Sequence, residues 1–349
     1  MTIVAEHYDY VVGVDTHART HTYTALAAGT GAVLDTAVFP TTTTGTTRAI
    51  SWIRRRTTNG DVLAAVEGTS SYGARLTCAL LAEDIPVAEV RPPNRNARAM
   101  HGKSDAIDAQ AATRSVLGQE VGQLIEPRAA GARTALRVLL AARLLMDHQR
   151  TANRNALTAL LRGIDLGIDA RRPLKDAQIA TIAAWRTVPH AQADVVVARA
   201  EAKRLAIAIR AGTEQLAANR TSLQTLAEEL APGLQETPGI GPVTAAIIVC
   251  AYSHHGRIRS EAAFAALAGV APRPASSGNT TRHRLNRSGD RQLNRAFETI
   301  VRTRISFDPV TRDYVARARA TGKSSREIRR NLKRYVARSV FRQLQAIMG

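Results

Sequence analysis

Aromatic side chains are scarce, 4% of the chain, and there are only two cysteines, Cys78 and Cys250. Both cysteines stand inside apolar segments with no CxxC pair, so buried free thiols are expected rather than a disulfide or a thiolate metal site. Lysine is almost missing: only five of the 48 basic residues are Lys, at 103, 175, 203, 323 and 333. No run of eighteen apolar residues occurs, and the N-terminus has no basic-then-apolar signal pattern. A membrane-spanning helix is therefore not expected, and the reading is a cytoplasmic protein.

What the chain does have is length, apolar content and positive charge. Its 349 residues suit two or three domains, and 45% hydrophobic residues suffice for a sizeable core. The formal net charge is +19, and it is uneven: from Arg282 onward there are 18 basic and 5 acidic residues, so 13 of the 19 excess charges sit there. Arginine dominance by itself can reflect a GC-rich coding sequence. The clustering is more informative, because Arg forks match phosphates and a basic field steers a polyanion. Nucleic acid is the expected partner.

Four carboxylates near the N-terminus organise the rest. Asp15 ends the apolar run Tyr10-Val11-Val12-Gly13-Val14, and Glu67 ends the run Val62-Leu63-Ala64-Ala65-Val66 just before Gly68. Each run reads as a buried strand. In Lys103-Ser104-Asp105-Ala106-Ile107-Asp108-Ala109, Ser104 can cap a helix on which Asp105 and Asp108 share one face. Singly, these acids could be turn formers, solvated strand ends or dipole-favouring residues of a first helical turn. Together they can hold two hard cations. Oxygen ligands suit Mg²⁺, and two ions about 3.5–4 Å apart stabilise both attacking and leaving oxygens of a phosphoryl transfer.

The intervening pattern supports that reading. Strands are expected at Tyr8–Asp15, Thr20–Ala27 and Ala32–Phe39, the middle one alternating like a half-exposed antiparallel strand. A helix follows over 46–56, then the Glu67 strand, a helix over Tyr72–Ala82, the strand Pro86–Val90, and the Ser104 helix. The order βββαβαβα is that of the ribonuclease-H-like fold, in which such acids converge on one sheet edge. His17, beside Asp15, could assist a metal or a proton transfer, but a surface strand-end histidine is the simpler reading. Tyr72 and His101 remain unassigned.

Beyond residue 125 the chain turns helical. Residues 126–161 are Ala/Leu/Arg-rich, with Leu136, Leu140 and Leu144 at i+4 spacing, and residues 163–173 break the pattern. A heptad stripe then runs through Val195, Ala202, Ile209, Leu216, Leu223 and Leu230, interrupted at Gly212 and Asn219. This predicts a coiled-coil arm, or else a long helix packed on its own hairpin partner. A new domain opens at Glu236, giving the division 1–125, 126–235 and 236–349. In Thr237-Pro238-Gly239-Ile240-Gly241-Pro242, the backbone N–H groups around Gly239 and Gly241 could hold a DNA phosphate, as in helix-hairpin-helix elements, or simply make a tight turn. Further helices are expected at Ser260–Gly269, Arg291–Arg304 and Ser324–Met348, the last basic on one face. The loop between them carries Ser276-Ser277-Gly278 among Arg273, Arg282 and Arg284. These arginines stabilise charge on a phosphate but cannot remove a serine proton.

Taken together these motifs resemble the insertion-sequence transposases with a RuvC-like DEDD domain and a C-terminal transposase domain, kin to the Piv/MooV DNA invertases. Val12-Gly13-Val14-Asp15-Thr16-His17, Ala65-Val66-Glu67-Gly68-Thr69 and Lys103-Ser104-Asp105-Ala106-Ile107-Asp108-Ala109 carry the N-terminal resemblance. Thr237-Pro238-Gly239-Ile240-Gly241-Pro242 and Leu267-Ala268-Gly269-Val270-Ala271-Pro272-Arg273 followed by Ser277-Gly278 carry the C-terminal one. The resemblance implies an α/β ribonuclease-H/RuvC-like domain plus an all-α remainder, and a site-specific transposase or recombinase acting on target and donor DNA. It implies that Asp15, Glu67, Asp105 and Asp108 bind Mg²⁺ or Mn²⁺, and that Ser277, or its neighbour Ser276, attacks the DNA phosphate to give a phosphoserine intermediate. It further implies nucleic-acid contacts at Gly239, Gly241, Arg273, Arg282, Arg284 and Arg287, a structured non-coding bridge RNA as guide, and a homo-oligomer, dimer or tetramer. One departure stands out: Arg287-Ser288-Gly289-Asp290 places a second Ser-Gly eleven residues downstream of the first.

Two other classes fit parts of the pattern. A RuvC-like structure-selective endonuclease would use the same acids with activated water and no serine. A non-catalytic nucleic-acid-binding protein would need only the basic helices. A proofreading DEDD exonuclease is disfavoured, because Asp15 is followed by Thr16 and His17 rather than by a Glu two residues on.

Overall fold

The computed structural model describes residues 2–90, 104–128, 130–186, 192–274, 283–284, 286 and 288–349, with backbone alone at 273–274 and 283–284. The chain divides into two units, Met1–Ala130 and Gly131–Gly349.

In the first unit a short helix α1 (Val4–His7) precedes strands β1 (Tyr10–Thr16), β2 (Thr20–Ala27) and β3 (Val33–Pro40). Then come α2 (Thr43–Arg56), β4 (Val62–Glu67), α3 (Ala74–Ala82), β5 (Val87–Val90) and α4 (Asp105–Leu117). The sheet order is β3-β2-β1-β4-β5, with β1 antiparallel to β2 and parallel to β4. A mixed five-stranded sheet with this βββαβαβα succession fits the ribonuclease-H-like arrangement expected from the sequence.

Strand alternation sorts side chains onto two faces. Val12, Val14, Ala64 and Val66 pack with Ile50, Trp52 and Ile53 of α2 and Leu76 and Leu80 of α3. Val11, Leu63 and Ala65 pack on the other face with Ala112 and Val116 of α4. Two expectations fail here. β2 is not half-exposed: Thr22 and Thr24 are as buried as Tyr23, because α4 also packs across β2. The half-exposed strand is the edge, β3, where Val33, Leu34 and Val38 reach solvent. Nor is Cys78 buried; the inward positions of α3 are Leu76, Thr77 and Leu80, and Cys78 points away from them.

Among the described residues, the second unit is helical apart from one two-stranded ribbon. It comprises α5 (Ala132–Gly163), α6 (Asp176–Ala183), α7 (Ala193–Leu230), α8 (Pro242–Tyr252), α9 (Glu261–Leu267), α10 (Arg291–Phe307), α11 (Pro309–Ala320) and α12 (Ser325–Ile347). The ribbon pairs β6 (Arg273–Pro274) antiparallel with β7 (His283–Arg284). The first long helix starts at Ala132 rather than near 126, where Gly131 takes a left-handed φ of 66°. Helices α6 and α11 have no counterpart in the expectation. The stripe on α7 is covered within the chain: Ala202 and Ile209 pack with Leu157, Leu161 and Ile179, and Leu223 packs with Leu136 and Leu140. Asn219 interrupts the stripe for a reason. It is buried, its Nδ2 donates to the Leu139 carbonyl (3.0 Å), and Arg143 Nη1 donates to the Leu216 carbonyl (3.0 Å). The few aromatics are concentrated: Tyr252, Phe264, Phe297 and Phe341 form one cluster with ring centroids 5.8–6.3 Å apart.

Candidate functional site

Asp15 lies near the C-terminal end of β1 and Glu67 ends β4. The two strands are parallel neighbours in the register Val14 to Val66, so Asp15 and Glu67 come next, side by side. Both have the parity of Gly13 and Ala65, whose face is covered by α4. Thr16 Oγ1 donates to the Glu67 carbonyl (2.9 Å) and ties the two strand ends together. Gly68 then turns the chain with φ 64°.

Helix α4 reaches this edge because β1 carries glycine where they cross. A Cβ on Gly13 would lie 2.2 Å from the Ala109 carbonyl oxygen and 2.6 Å from Thr113 Cγ2. The helix axis therefore sits directly on the strand, and the turn before Ala109 overhangs the end of β1. Ser104 starts the helix as expected, its Oγ accepting from Ile107 N–H (3.3 Å). Asp105 and Asp108 occupy the first turn, Asp105 exposed and Asp108 buried.

His17 Nδ1 lies 3.6 Å from Asp15 Oδ2 and 4.0 Å from Asp105 Oδ2. Asp15, His17 and Asp105 each present a ligand atom, all within 4.8 Å of one another. Two carboxylates and an imidazole could hold a divalent cation; the carboxylates suit hard ions such as Mg²⁺ or Mn²⁺, whereas the imidazole suits later transition metals, so the donor set does not single out one ion. Of the four acids named from sequence, Asp15 and Asp105 belong to this group, Glu67 adjoins Asp15 along the sheet, and Asp108 follows one turn into α4. His17, taken from sequence as an ordinary surface histidine, belongs to the group. Glu89 on β5 is not part of the group: it pairs beside Val66, so it has the parity of the face opposite Asp15 and Glu67, and it accepts from Thr69 Oγ1 (2.8 Å).

The C-terminal residues divide differently. Gly239 has φ 82°, and a Cβ there would meet the Ile300 carbonyl at 2.9 Å and Arg304 Cγ at 3.2 Å. Arg304 Nε donates to the Pro238 carbonyl (2.7 Å), and burial lowers the pKa of its guanidinium. The Gly241 N–H donates to Thr244 Oγ1 (2.9 Å). The turn is thus packed on α10 and partly satisfied by its own helix. Ser276, Ser277, Arg282 and Arg287 lie outside the described residues, as do the side chains of Arg273 and Arg284. The second Ser-Gly is described: Ser288 Oγ donates to Asn286 Oδ1 (2.6 Å), and a Cβ on Gly289 would lie 2.6 Å from the Leu267 carbonyl. Asp290 N–H donates to that carbonyl (2.7 Å) while its carboxylate caps α10. Ser288-Gly289 is a structural turn locking α9 to α10.

Among the described residues, no helix is long and apolar enough to cross a membrane. Residues 12–165 match the DEDD_Tnp_IS110 family, described as Transposase, and residues 231–316 match the Transposase IS116/IS110/IS902 family. A relative from Streptomyces coelicolor (strain ATCC BAA-471 / A3(2) / M145), "Insertion element IS110 uncharacterized 43.6 kDa protein", is 32% identical over 144 residues. That match covers 40% of this chain and 36% of the relative, so the chain spans about a third of that relative's length. With an acidic group at the β1 edge inside one matched segment and the Gly-rich turns of α8 and α9 inside the other, the chain belongs to the IS110-type DEDD transposase family.

Proposed function

We propose that this protein is a metal-dependent, site-specific transposase or recombinase of a mobile DNA element. In this reading residues 1–125 are a RuvC-like DEDD domain, 126–235 a helical arm, and 236–349 a helix-hairpin-helix-like transposase domain. The observation that carries it is the gathering of Asp15, Asp105 and His17 at the end of β1, with Glu67 on the adjoining strand, within a family-matched segment.

Asp15, Glu67, Asp105 and Asp108 hold Mg²⁺ or Mn²⁺ here, and His17 either ligates as well or orients Asp15 and Asp105. Bound ions supply positive charge to the scissile phosphate oxygens. Ser277 is the nucleophile, assigned by its place in the sequence motif. Its hydroxyl loses a proton, its Oγ bonds to phosphorus, and one sugar oxygen leaves and takes up a proton. Attack by an incoming sugar hydroxyl reverses the step and rejoins the strands, conserving the phosphoester bond energy. Gly239 with Arg273, Arg282, Arg284 and Arg287 contacts the nucleic acid, the arginines balancing charge on the phosphate, while the Gly241 N–H is already given to Thr244. A bridge RNA selects target and donor DNA by base pairing, and the protein works as a homo-oligomer.

The test is a denaturing gel of protein, Mg²⁺, element-junction DNA and co-expressed flanking RNA. Wild type yields a covalent protein–DNA adduct that is lost in Ser277→Ala and in Asp108→Ala. Cleavage without an adduct, persisting in Ser277→Ala, would make this a water-using RuvC-like endonuclease instead.

A further inference from the structure

A cavity of about 390 Å³ opens in the C-terminal unit between the Gly269–Pro272 segment and the first turns of α12. Its cations are Lys323, Arg330, Lys333 and Arg334, against a single carboxylate, Glu327. That carboxylate is engaged: Glu327 Oε2 accepts from the Ser324 N–H (2.8 Å) and Oγ (2.6 Å), closing the cap of α12. Among the described residues the ion pairs of this region go to Glu298, through Arg329 and Lys333. Lys323, Arg330 and Arg334 have no such pair; the Glu327 carboxylate offsets part of the charge of Arg330 and Lys323, and the lining stays net positive with four cations against one acid. The opposite wall is rigid. Asn294 Nδ2 donates to the Ala268 carbonyl (2.7 Å) and Asn286 Nδ2 to the Ala266 carbonyl (3.3 Å), while Gly269 and Gly289 interlock too closely for either to carry a Cβ.

We propose that this cavity binds one nucleotide of a single-stranded nucleic acid, its phosphate held by Lys323, Arg330 and Arg334 and its base or sugar facing Asn331. The inference rests on the nucleic-acid reading above and deepens it. The volume is in the range of small-ligand pockets and far too small for a duplex. Among the described residues no aromatic lines it, so recognition uses charge, guanidinium planes and amide hydrogen bonds rather than ring stacking. The Gly269–Pro272 wall runs straight into Arg273, where the ribbon strand β6 begins.

The test is fluorescence anisotropy of the full-length protein in EDTA, with labelled single-stranded DNA and RNA of one sequence. Arg330→Gln/Arg334→Gln should weaken binding at least about tenfold and flatten the salt dependence by about two in log–log slope. The control Arg312→Gln/Arg317→Gln removes the same charge from exposed positions of α11 and should change affinity much less. Asn331→Trp fills the cavity without changing charge and should weaken binding as strongly, with an unchanged melting temperature. Loss on both probes assigns the site to the shared phosphodiester, and loss on one names DNA or RNA as the source; both outcomes support it. Equal loss in pocket and control variants, or wild-type affinity in a folded Asn331→Trp, overturns it. Since binding in EDTA requires neither the acids nor Ser277, a protein that still forms the adduct while the pocket variants bind normally refutes this inference alone. A wild type that binds neither probe overturns this inference, while adduct formation on the element junction continues to decide the proposed function.

Discussion

The Cα of Gly13 sits so close beneath Ala109 that a methyl group there would lie 2.2 Å from the Ala109 carbonyl oxygen. That contact lowers α4 onto β1 and brings Asp105 to the His17–Asp15 pair. Gly13→Ala must lift or tilt the helix. It should cost about 1–3 kcal/mol of stability, as overpacking does, and should disable cleavage more than it disables folding. Urea unfolding and a cleavage assay measure the two effects, and a variant with wild-type values for both would refute the account.

Metal binding can be read without activity. Millimolar Mn²⁺ or Mg²⁺ should raise the melting temperature of the wild type, since a ligand that prefers the folded state stabilises it. Asp15→Asn and Asp105→Asn should each abolish the shift, and His17→Ala should reduce it, more for Mn²⁺ than for Mg²⁺. Undiminished shifts in Asp15→Asn would place the ion elsewhere.

The two Ser-Gly pairs should behave oppositely. Ser288 is tied to Asn286 within a turn that Asp290 and Leu267 close. Ser288→Ala should therefore keep the covalent adduct while lowering stability by about 1 kcal/mol. Ser277→Ala should lose the adduct and keep stability. The reverse pattern would reassign the nucleophile.

Asn219 is buried between the two long helices, bonded to Leu139 and beside Arg143. Asn219→Ala leaves the Leu139 carbonyl and the Arg143 guanidinium short of a partner and should cost about 1–3 kcal/mol in chemical denaturation. Wild-type stability in that variant would mean that the pair does not set the register of the hairpin.

Asp35 accepts from Arg56 Nε (2.7 Å), Trp52 Nε1 (3.1 Å) and the Thr36 N–H (2.8 Å), and the Arg56 bond leads these in holding its carboxyl below the usual carboxylate range. For an acid with a depressed folded-state pKa, the stabilisation is complete above the unfolded value, about pH 4, and is lost as pH falls further. Asp35→Asn should accordingly show a shallower decline in melting temperature below about pH 4 than the wild type. An identical acid decline would show that the carboxylate adds nothing.

Much of the N-terminal site was legible because its signals are local. Val11, Val12 and Val14 before Asp15, and Leu63 to Val66 before Glu67, mark buried strands by continuous apolar character. Ser104 marks a helix start by capping, which places Asp105 and Asp108 on the first turn. The helices around Asp176 and Pro309 escaped notice because eight or twelve residues offer little periodicity, though Asp308 before Pro309 is a cap followed by proline at the first helical position.

The sequence by itself determined which residues carry carboxylates, which segments form the five strands of the N-terminal unit and most of the long helices, and that the excess charge lies at the C-terminal end. These follow from side-chain period, capping and composition, which act over a few residues. Tertiary structure alone decided that β2 is buried on both faces, that His17 joins Asp15 and Asp105, that Asn219 bridges two helices, and that Ser288 belongs to a turn. Each depends on a segment tens of residues away: α4 lying across β1 and β2, α5 returning along α7, and α9 meeting the start of α10. The distances between such segments are set by packing, which no local pattern encodes.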